Sequence, residues 1–204
     1  MAGAYVIGIC GGSASGKTYL LHQISARFTE PSVCLLSQDH YYKKPEDQIL
    51  DDLGYINFDV PAAINTDLFL ENLQRILQGE GITKEEYLFN HPDLKPGELT
   101  FLPAPVIIIE GLFLFHEPKI ASMLDYKVFL DANMQELYSR RLERDRVERS
   151  IPEDLVHYQW HKHVLPSYRR YILPYKNHAD LIITPDTFES GLEVLLNIIN
   201  MHLA

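Results

Sequence analysis

The sequence predicts an α/β fold of three layers. A five-stranded parallel sheet carries helices on both faces, with a small β-hairpin insert and an arginine lid. Three observations support this. The apolar run Val6 to Cys10 leads into a glycine loop, Gly11 to Thr18, and then into an amphipathic segment. A second apolar run, Val33 to Leu36, follows that segment, so the order is βαβ, which favours parallel pairing with a right-handed crossover. Val106 to Ile109 is a run of four β-branched residues, suited to a strand buried on both faces.

The glycine loop reads Gly11-Gly12-Ser13-Ala14-Ser15-Gly16-Lys17-Thr18, the spacing G-x-x-x-x-G-K-T. Glycines let backbone N–H groups approach phosphate oxygens without a Cβ in the way. Those N–H groups form an anion nest, and the helix that starts near Gly16 adds the positive end of its dipole. Lys17 would place a point charge on the outer phosphates, and Thr18 would offer a hydroxyl to Mg²⁺. A flexible turn would explain the glycines but not Lys and Thr at these offsets. The loop therefore predicts nucleoside triphosphate binding.

Bulk properties narrow the remaining classes. The 204 residues suffice for one α/β domain, taken here as a single unit over 1–204. With 46% hydrophobic and 23% charged residues the chain has an ordinary globular balance. A net charge of −10 argues against a general nucleic-acid surface, so any anion site must be a local basic pocket. Cys10 and Cys34 both lie in strand-like runs and read as buried thiols. With no signal segment and no apolar run of membrane-spanning length, a soluble, cytoplasmic protein without a membrane partner is expected. Self-association is left open.

The remaining elements follow in order. Leu20, Leu21, Ile24 and Phe28 recur with helical period, and Pro31 stops that helix. After Val33–Leu36 comes Ser37-Gln38-Asp39-His40-Tyr41-Tyr42. Ligands of open α/β sheets bind beyond the carboxyl ends of strands, which is where Asp39 falls. It could orient and deprotonate a hydroxyl, or simply cap a turn. Residues 45–65 form a long loop with Asp47, Asp51, Asp52 and the sequence Asn57-Phe58-Asp59. Phe58 beside Asp59 suits a sugar-binding wall or a loop anchor. Asn65 or Thr66 caps a helix to Gln78, with Leu68, Leu70, Leu73, Ile76 and Leu77 as its apolar positions. Residues 82–103 suggest the hairpin insert, in which Tyr87, Phe89 and His91 alternate and would face one way. They could stack on a heterocyclic base or form an aromatic cluster.

Glu110 ends the Val106–Ile109 strand as the acid of a Walker-B-like arrangement, a candidate Mg²⁺ ligand with Thr18 and Asp39. Lys127–Leu130 is another strand. Asn133 and Glu136 open a helix carrying Arg140, Arg141, Arg144, Arg146 and Arg149. Few apolar positions predict a helix that is not deeply buried, either salt-bridged in solvent or a lid, over 133–152, whose arginines close on a phosphoryl group. Ser150-Ile151-Pro152-Glu153 reads as a capping box for a helix to about Leu165, broken or kinked by Pro166. His157, His161 and His163 lack a ligand set and read as surface or packing residues. Asp180–Thr184 and Leu192–Leu203 give a last strand and helix.

These residues together resemble the phosphoribulokinase/uridine kinase branch of the P-loop NTPase kinases. The resemblance spans nearly the whole chain. It rests on the loop, Asp39-His40-Tyr41-Tyr42, Asn57-Phe58-Asp59, Glu110-Gly111-Leu112, Arg140-Arg141-Leu142-Glu143-Arg144-Asp145 and Ala179-Asp180-Leu181-Ile182-Ile183. It implies transfer of a phosphoryl group from ATP or GTP, with Mg²⁺, to the 5′-hydroxyl of a pyrimidine nucleoside. It implies that Asp39 receives the hydroxyl proton and that Lys17, Arg141 and Arg144 act at the phosphoryl group. Tyr42, Phe58, Asp59, Tyr87, Phe89, His91 and Arg141 would hold the nucleoside, and Arg144 and Arg149 the ATP phosphates. The chain departs from the branch pattern at Leu88, His91, Val60, Ala62, Ser150 and Ile151. Two alternatives therefore stay open: a kinase for another small hydroxyl substrate, and a non-catalytic nucleotide-binding regulator.

Overall fold

The computed structural model describes residues 3–28, 31–89 and 94–204. It opens with β1 (Tyr5–Gly11), α1 (Lys17–Ser25), β2 (Val33–Ser37) and α2 (Thr66–Leu77). The hairpin β3 (Ile82–Glu85) and β4 (Glu98–Phe101) comes next, then β5 (Val106–Gly111), the short α3 (Pro118–Ala121) and β6 (Tyr126–Leu130). The chain ends with α4 (Met134–Val147), α5 (Glu153–Gln159), α6 (Leu165–Ser167), β7 (Leu181–Ile183) and α7 (Phe188–Leu203). The main sheet is parallel in the order β2-β5-β1-β6-β7, and β3 pairs antiparallel with β4 outside it.

Strand periodicity sorts the core into two faces. Val6, Cys10, Ile107 and Ile109 point to one side, where Phe69, Leu70, Leu73 and Ile76 of α2 cover them. Ile7, Ile9, Val106 and Ile108 point to the other, covered by Leu20 and Ile24 of α1 and Leu192, Leu195 and Ile199 of α7. Both faces of β5 are buried, which is why its residues form an unbroken apolar run. Cys10 and Cys34 are both buried, and the Cys10 thiol donates to the Leu112 carbonyl at 3.2 Å.

Two caps follow the sequence closely. Asn65 accepts the N–H of Leu68, and Asn133 accepts that of Glu136. Four other expectations need correction. In α2 the buried face carries Phe69 with Leu70, Leu73 and Ile76, whereas Leu68 is exposed. In α4 Leu137, Arg141 and Asp145 are all buried, so its inward stripe is closed by charge pairing rather than apolar residues. Ser150 caps nothing. It sits at φ 52, and Pro152 precedes α5 without a side-chain cap. Pro166 does not break the helical run. Trp160–Val164 and Tyr168–Ile172 widen into π-turns on either side of it, with Leu165 N–H reaching back to Trp160 O. The wider turn accommodates the missing proline donor and its ring.

Candidate active site

The carboxyl ends of β1, β2 and β5 open onto one cavity of about 880 Å³. The loop residues Ser13, Ala14, Ser15, Gly16, Lys17 and Thr18 line it, as do Asp39 and Glu110. Local backbone explains the loop's shape. Gly16 adopts φ 99 at the start of α1, a conformation that L side chains avoid. A Cβ at Gly11 would lie 2.5 Å from the carbonyl oxygen of Leu130, so only glycine fits where the loop crosses β6. Lys17 is 8% exposed, and its Nζ donates to the Gly11 and Gly12 carbonyls at 3.2 Å. The ammonium is thus held at the mouth of the loop it would use.

Asp39 and Glu110 are joined by a residue that sequence reading passed over. Ser37 ends β2 directly opposite Glu110 of β5. Its hydroxyl donates to Glu110 Oε1 and accepts the N–H of Asp39 at 3.1 Å. That bond caps a short 3₁₀ turn, Gln38–Tyr41, and sets the direction of Asp39. Gln38 is buried beneath the turn, and its side-chain carbonyl accepts the N–H of Phe113 at 3.1 Å. The signal was present in principle: a Ser at a strand end, level with an acid on the neighbouring strand. Register is a tertiary quantity, however.

Glu110 is 2% exposed and lies within β5 rather than just beyond it. Burial, with the charge of Asp39 added, pushes its carboxyl up to about 7 against the pull of Lys17 and the Ser37 hydroxyl. Its Oε2 has no hydrogen-bond partner among the described residues. A buried, unpaired carboxylate oxygen beside a phosphate loop, with the Thr18 hydroxyl on the same cavity, is a hard-oxygen donor set that fits Mg²⁺.

Across the cavity lies an aromatic group. Tyr42 is its centre, with ring centroids 5.7 Å from Phe58, 5.6 Å from Tyr87 and 5.0 Å from Phe89. Tyr87 and Phe89 lie past the end of β3 rather than on a strand, yet both reach this group. His91 lies outside the described residues. Burial pushes the Tyr42 phenol well up, and the nearby Asp39 and Asp59 add to the effect, so it stays a hydrogen-bond donor.

The arginines are arranged around two acids. Arg141 makes a two-pronged ion pair with Asp59, at 3.0 and 3.3 Å, and donates to Ser13 Oγ at 3.0 Å. One guanidinium thus touches both the phosphate loop and the Asn57-Phe58-Asp59 segment. Its Nε lies 3.1 Å from Asp145, which is fully buried and also pairs with Arg144 at 2.8 Å and Arg149 at 3.4 Å. Arg149 also covers the Phe89 ring at 4.5 Å. In the sequence Asp145 is one of several acids set among the arginines of this helix. The spacing Arg141, Asp145, Arg149, four apart each time, was the available sign. The three histidines sit apart from this group: His157 lies 3.3 Å from the Tyr138 hydroxyl and His163 2.7 Å from Asp51.

With the geometry in place, comparison with known proteins decides the class. The description "Phosphoribulokinase / Uridine kinase family" matches residues 6–187. The chain belongs to that family. Among similar family proteins, a uridine kinase of Oceanobacillus iheyensis is 36% identical over 178 residues, covering 87% of this chain and 85% of the relative. A uridine kinase of Leuconostoc citreum is 39% identical over 181 residues, covering 87% and 86%. Solved structures agree on the fold. One from Silicibacter sp. TM1040 superposes with a TM-score of 0.67 at 18% identity over 90% of this chain and 91% of that one. D-glycerate 3-kinase from Cryptococcus neoformans superposes with a TM-score of 0.59 at 15% identity over 82% and 79%. The chain is therefore a P-loop kinase of the phosphoribulokinase/uridine kinase family. No helix among the described residues is long and apolar enough to cross a membrane.

Proposed function

We propose that this chain transfers the γ-phosphoryl group of ATP or GTP to the 5′-hydroxyl of uridine or cytidine, as a cytoplasmic enzyme of pyrimidine salvage. The observation that carries this reading is the single cavity holding the phosphate loop, Asp39, Glu110, the arginines and the aromatic group together. The phosphate side is polar and cationic. The other side offers π-faces for a flat base, and Asp59, on the same lining, would meet ribose hydroxyls.

The chemistry follows from positioning and charge. The loop N–H groups and Lys17 bind the β- and γ-phosphates, and Asp39 aligns the acceptor hydroxyl and receives its proton as the new P–O bond forms and the bond from the γ-phosphorus to the β–γ bridging oxygen breaks, releasing the nucleoside diphosphate. Thr18 and Glu110 would hold Mg²⁺, which when bound supplies charge neutralisation at the phosphate oxygens. Arg144 and Arg149 stand at the same mouth to bind developing charge, with Arg141 bridging the two substrate sides. The fully buried Asp145 fixes where those guanidinium groups point.

A second reading is favoured by one residue. Leu88 lines the cavity where a polar contact to a base would sit, so a different small alcohol remains in competition. A panel assay separates the readings. ADP release that depends on uridine or cytidine supports the nucleoside kinase, release with another alcohol supports the second reading, and release with none removes both. Asp39→Asn is expected to lower turnover by about 10²–10⁴-fold while nucleotide affinity survives, and unchanged turnover would remove Asp39 from the mechanism.

A further inference from the structure

The acceptor side of the cavity has two walls. One is the loop 45–59, which contributes Ile56, Phe58 and Asp59. The other is the segment after the arginines, which contributes Ile151, Leu155 and Gln159. The loop has little regular structure to fix it. It makes one narrow hairpin, in which Asp51 N–H bonds Tyr55 O and Asn57 N–H bonds Ile49 O, both at 2.8 Å. Freezing such a loop costs backbone entropy at every residue, so its position needs an anchor.

The side chain of Asp51 is that anchor. Its Oδ1 accepts the N–H groups of Leu53 and Tyr55, each at 2.9 Å. Its Oδ2 accepts the Tyr158 hydroxyl at 2.8 Å and His163 Nε2 at 2.7 Å. Tyr158 lies on α5, in the opposite wall, and His163 lies just beyond it. The Tyr55 ring packs 5.3 Å from Tyr158, and Tyr158 packs 5.7 Å from His163. His163 is 3% exposed, so the far end of the anchor is set in the protein interior. Burial would raise the Asp51 carboxyl, but the bonds from Tyr158, Tyr55, His163 and Leu53 outweigh it and hold the group well below the usual carboxylate range. The carboxylate is thus a charged acceptor with four donors converging on it.

We propose that Asp51 is a positioning residue: it clamps the acceptor loop to the Tyr158–His163 helix and thereby sets the gap between the two walls in which the acceptor molecule is held. The clamp lies outside the cavity lining and acts through the hairpin on Phe58 and Asp59. Its consequence for catalysis rests on the kinase reading above, whereas its consequence for the loop does not.

The test pairs kinetics with amide hydrogen exchange on Asp51→Asn, with Tyr158→Phe and His163→Gln as milder variants should the first fold poorly. We expect the acceptor KM of Asp51→Asn to rise by about tenfold, as for the loss of one charge-assisted contact, while the donor KM stays within about twofold. Amides 53–59 should exchange faster, with β1 and β5 unchanged. Tyr158→Phe and His163→Gln should each show a smaller change in the same direction. Donor and acceptor KM rising together, or an unchanged acceptor KM in an active enzyme, overturns the clamp. If the wild-type protein phosphorylates no nucleoside, the kinase reading fails separately. Exchange over 53–59 then decides alone: faster exchange upholds the clamp and unchanged exchange overturns it.

Discussion

Asp145→Asn isolates the electrostatic centre of the arginine helix. The wild-type carboxylate is 0% exposed and stands 3.1 Å from Arg141 Nε, 2.8 Å from Arg144 and 3.4 Å from Arg149. Among the described residues Arg141 pairs with one other acid, Asp59, and its own side chain is only 8% exposed. At an effective dielectric near 20, a charge pair at about 3 Å interacts by roughly 5 kcal/mol before desolvation is counted. Removing one partner of a buried pair costs about 3–5 kcal/mol, because the remaining charge stays buried. Asparagine keeps the shape and one acceptor but turns an amide N–H₂ towards a guanidinium. We therefore expect a loss of about 3–5 kcal/mol in urea unfolding and, for a chain of this size, a Tm lower by about 6–20 °C. The control is Glu143→Gln, which removes the same charge from an exposed position two residues away in the same helix. It should change stability by no more than about 0.5 kcal/mol. Similar effects from the two substitutions, or a Tm shift below about 2 °C for Asp145→Asn, would refute the view that Asp145 organises the three arginines.

Two further outcomes follow from the strand ends. The Glu110 carboxyl stands near 7 in the folded protein against 4.5 for the free group, so between those values the folded chain binds the extra proton. Stability without divalent cations should therefore fall as pH rises through that window, by up to about 1.4 kcal/mol per pH unit. Urea unfolding in EDTA at pH 5 and pH 7.5 should show this in the wild type and a flatter dependence in Glu110→Gln, and parallel curves would exclude Glu110 as the source. Gly111→Ala would place a Cβ 2.4 Å from Gln38 Oε1 and 2.5 Å from Gln38 Cβ. Gln38 must then move and carry the Asp39 turn with it, so we expect a loss of about 1–3 kcal/mol together with reduced turnover. Normal kcat in a destabilised Gly111→Ala would show that Asp39 is positioned independently of Gln38.

Local chemistry, read along the chain, determined the framework. The glycine loop declared itself because G-x-x-x-x-G-K-T between a strand and a helix has few other uses. The parallel sheet followed from the βαβ order and the unbroken β-branched run Val106–Ile109, the helix starts from Asn65 and Asn133, and the hairpin from turn residues around 82–103. Asp39 and Glu110 could be placed because strand ends share one edge in a parallel sheet. Each of these signals is carried within a few residues.

Tertiary structure alone decided the pairings across the chain. Ser37 meets Glu110 73 residues away, Arg141 meets Asp59 82 residues away, and Asp51 meets His163 112 residues away. Among 28 acidic and 18 basic residues, periodicity does not say which carboxylate a given guanidinium will find. That choice depends on strand register and on how far each loop reaches. The charged stripe of α4 differs from its sequence expectation for the same reason, since Arg141 and Asp145 look solvated until the partners that allow their burial are in place. Pro166 remained helical because π-turns on both sides made room for it, a packing outcome that residue preference does not contain.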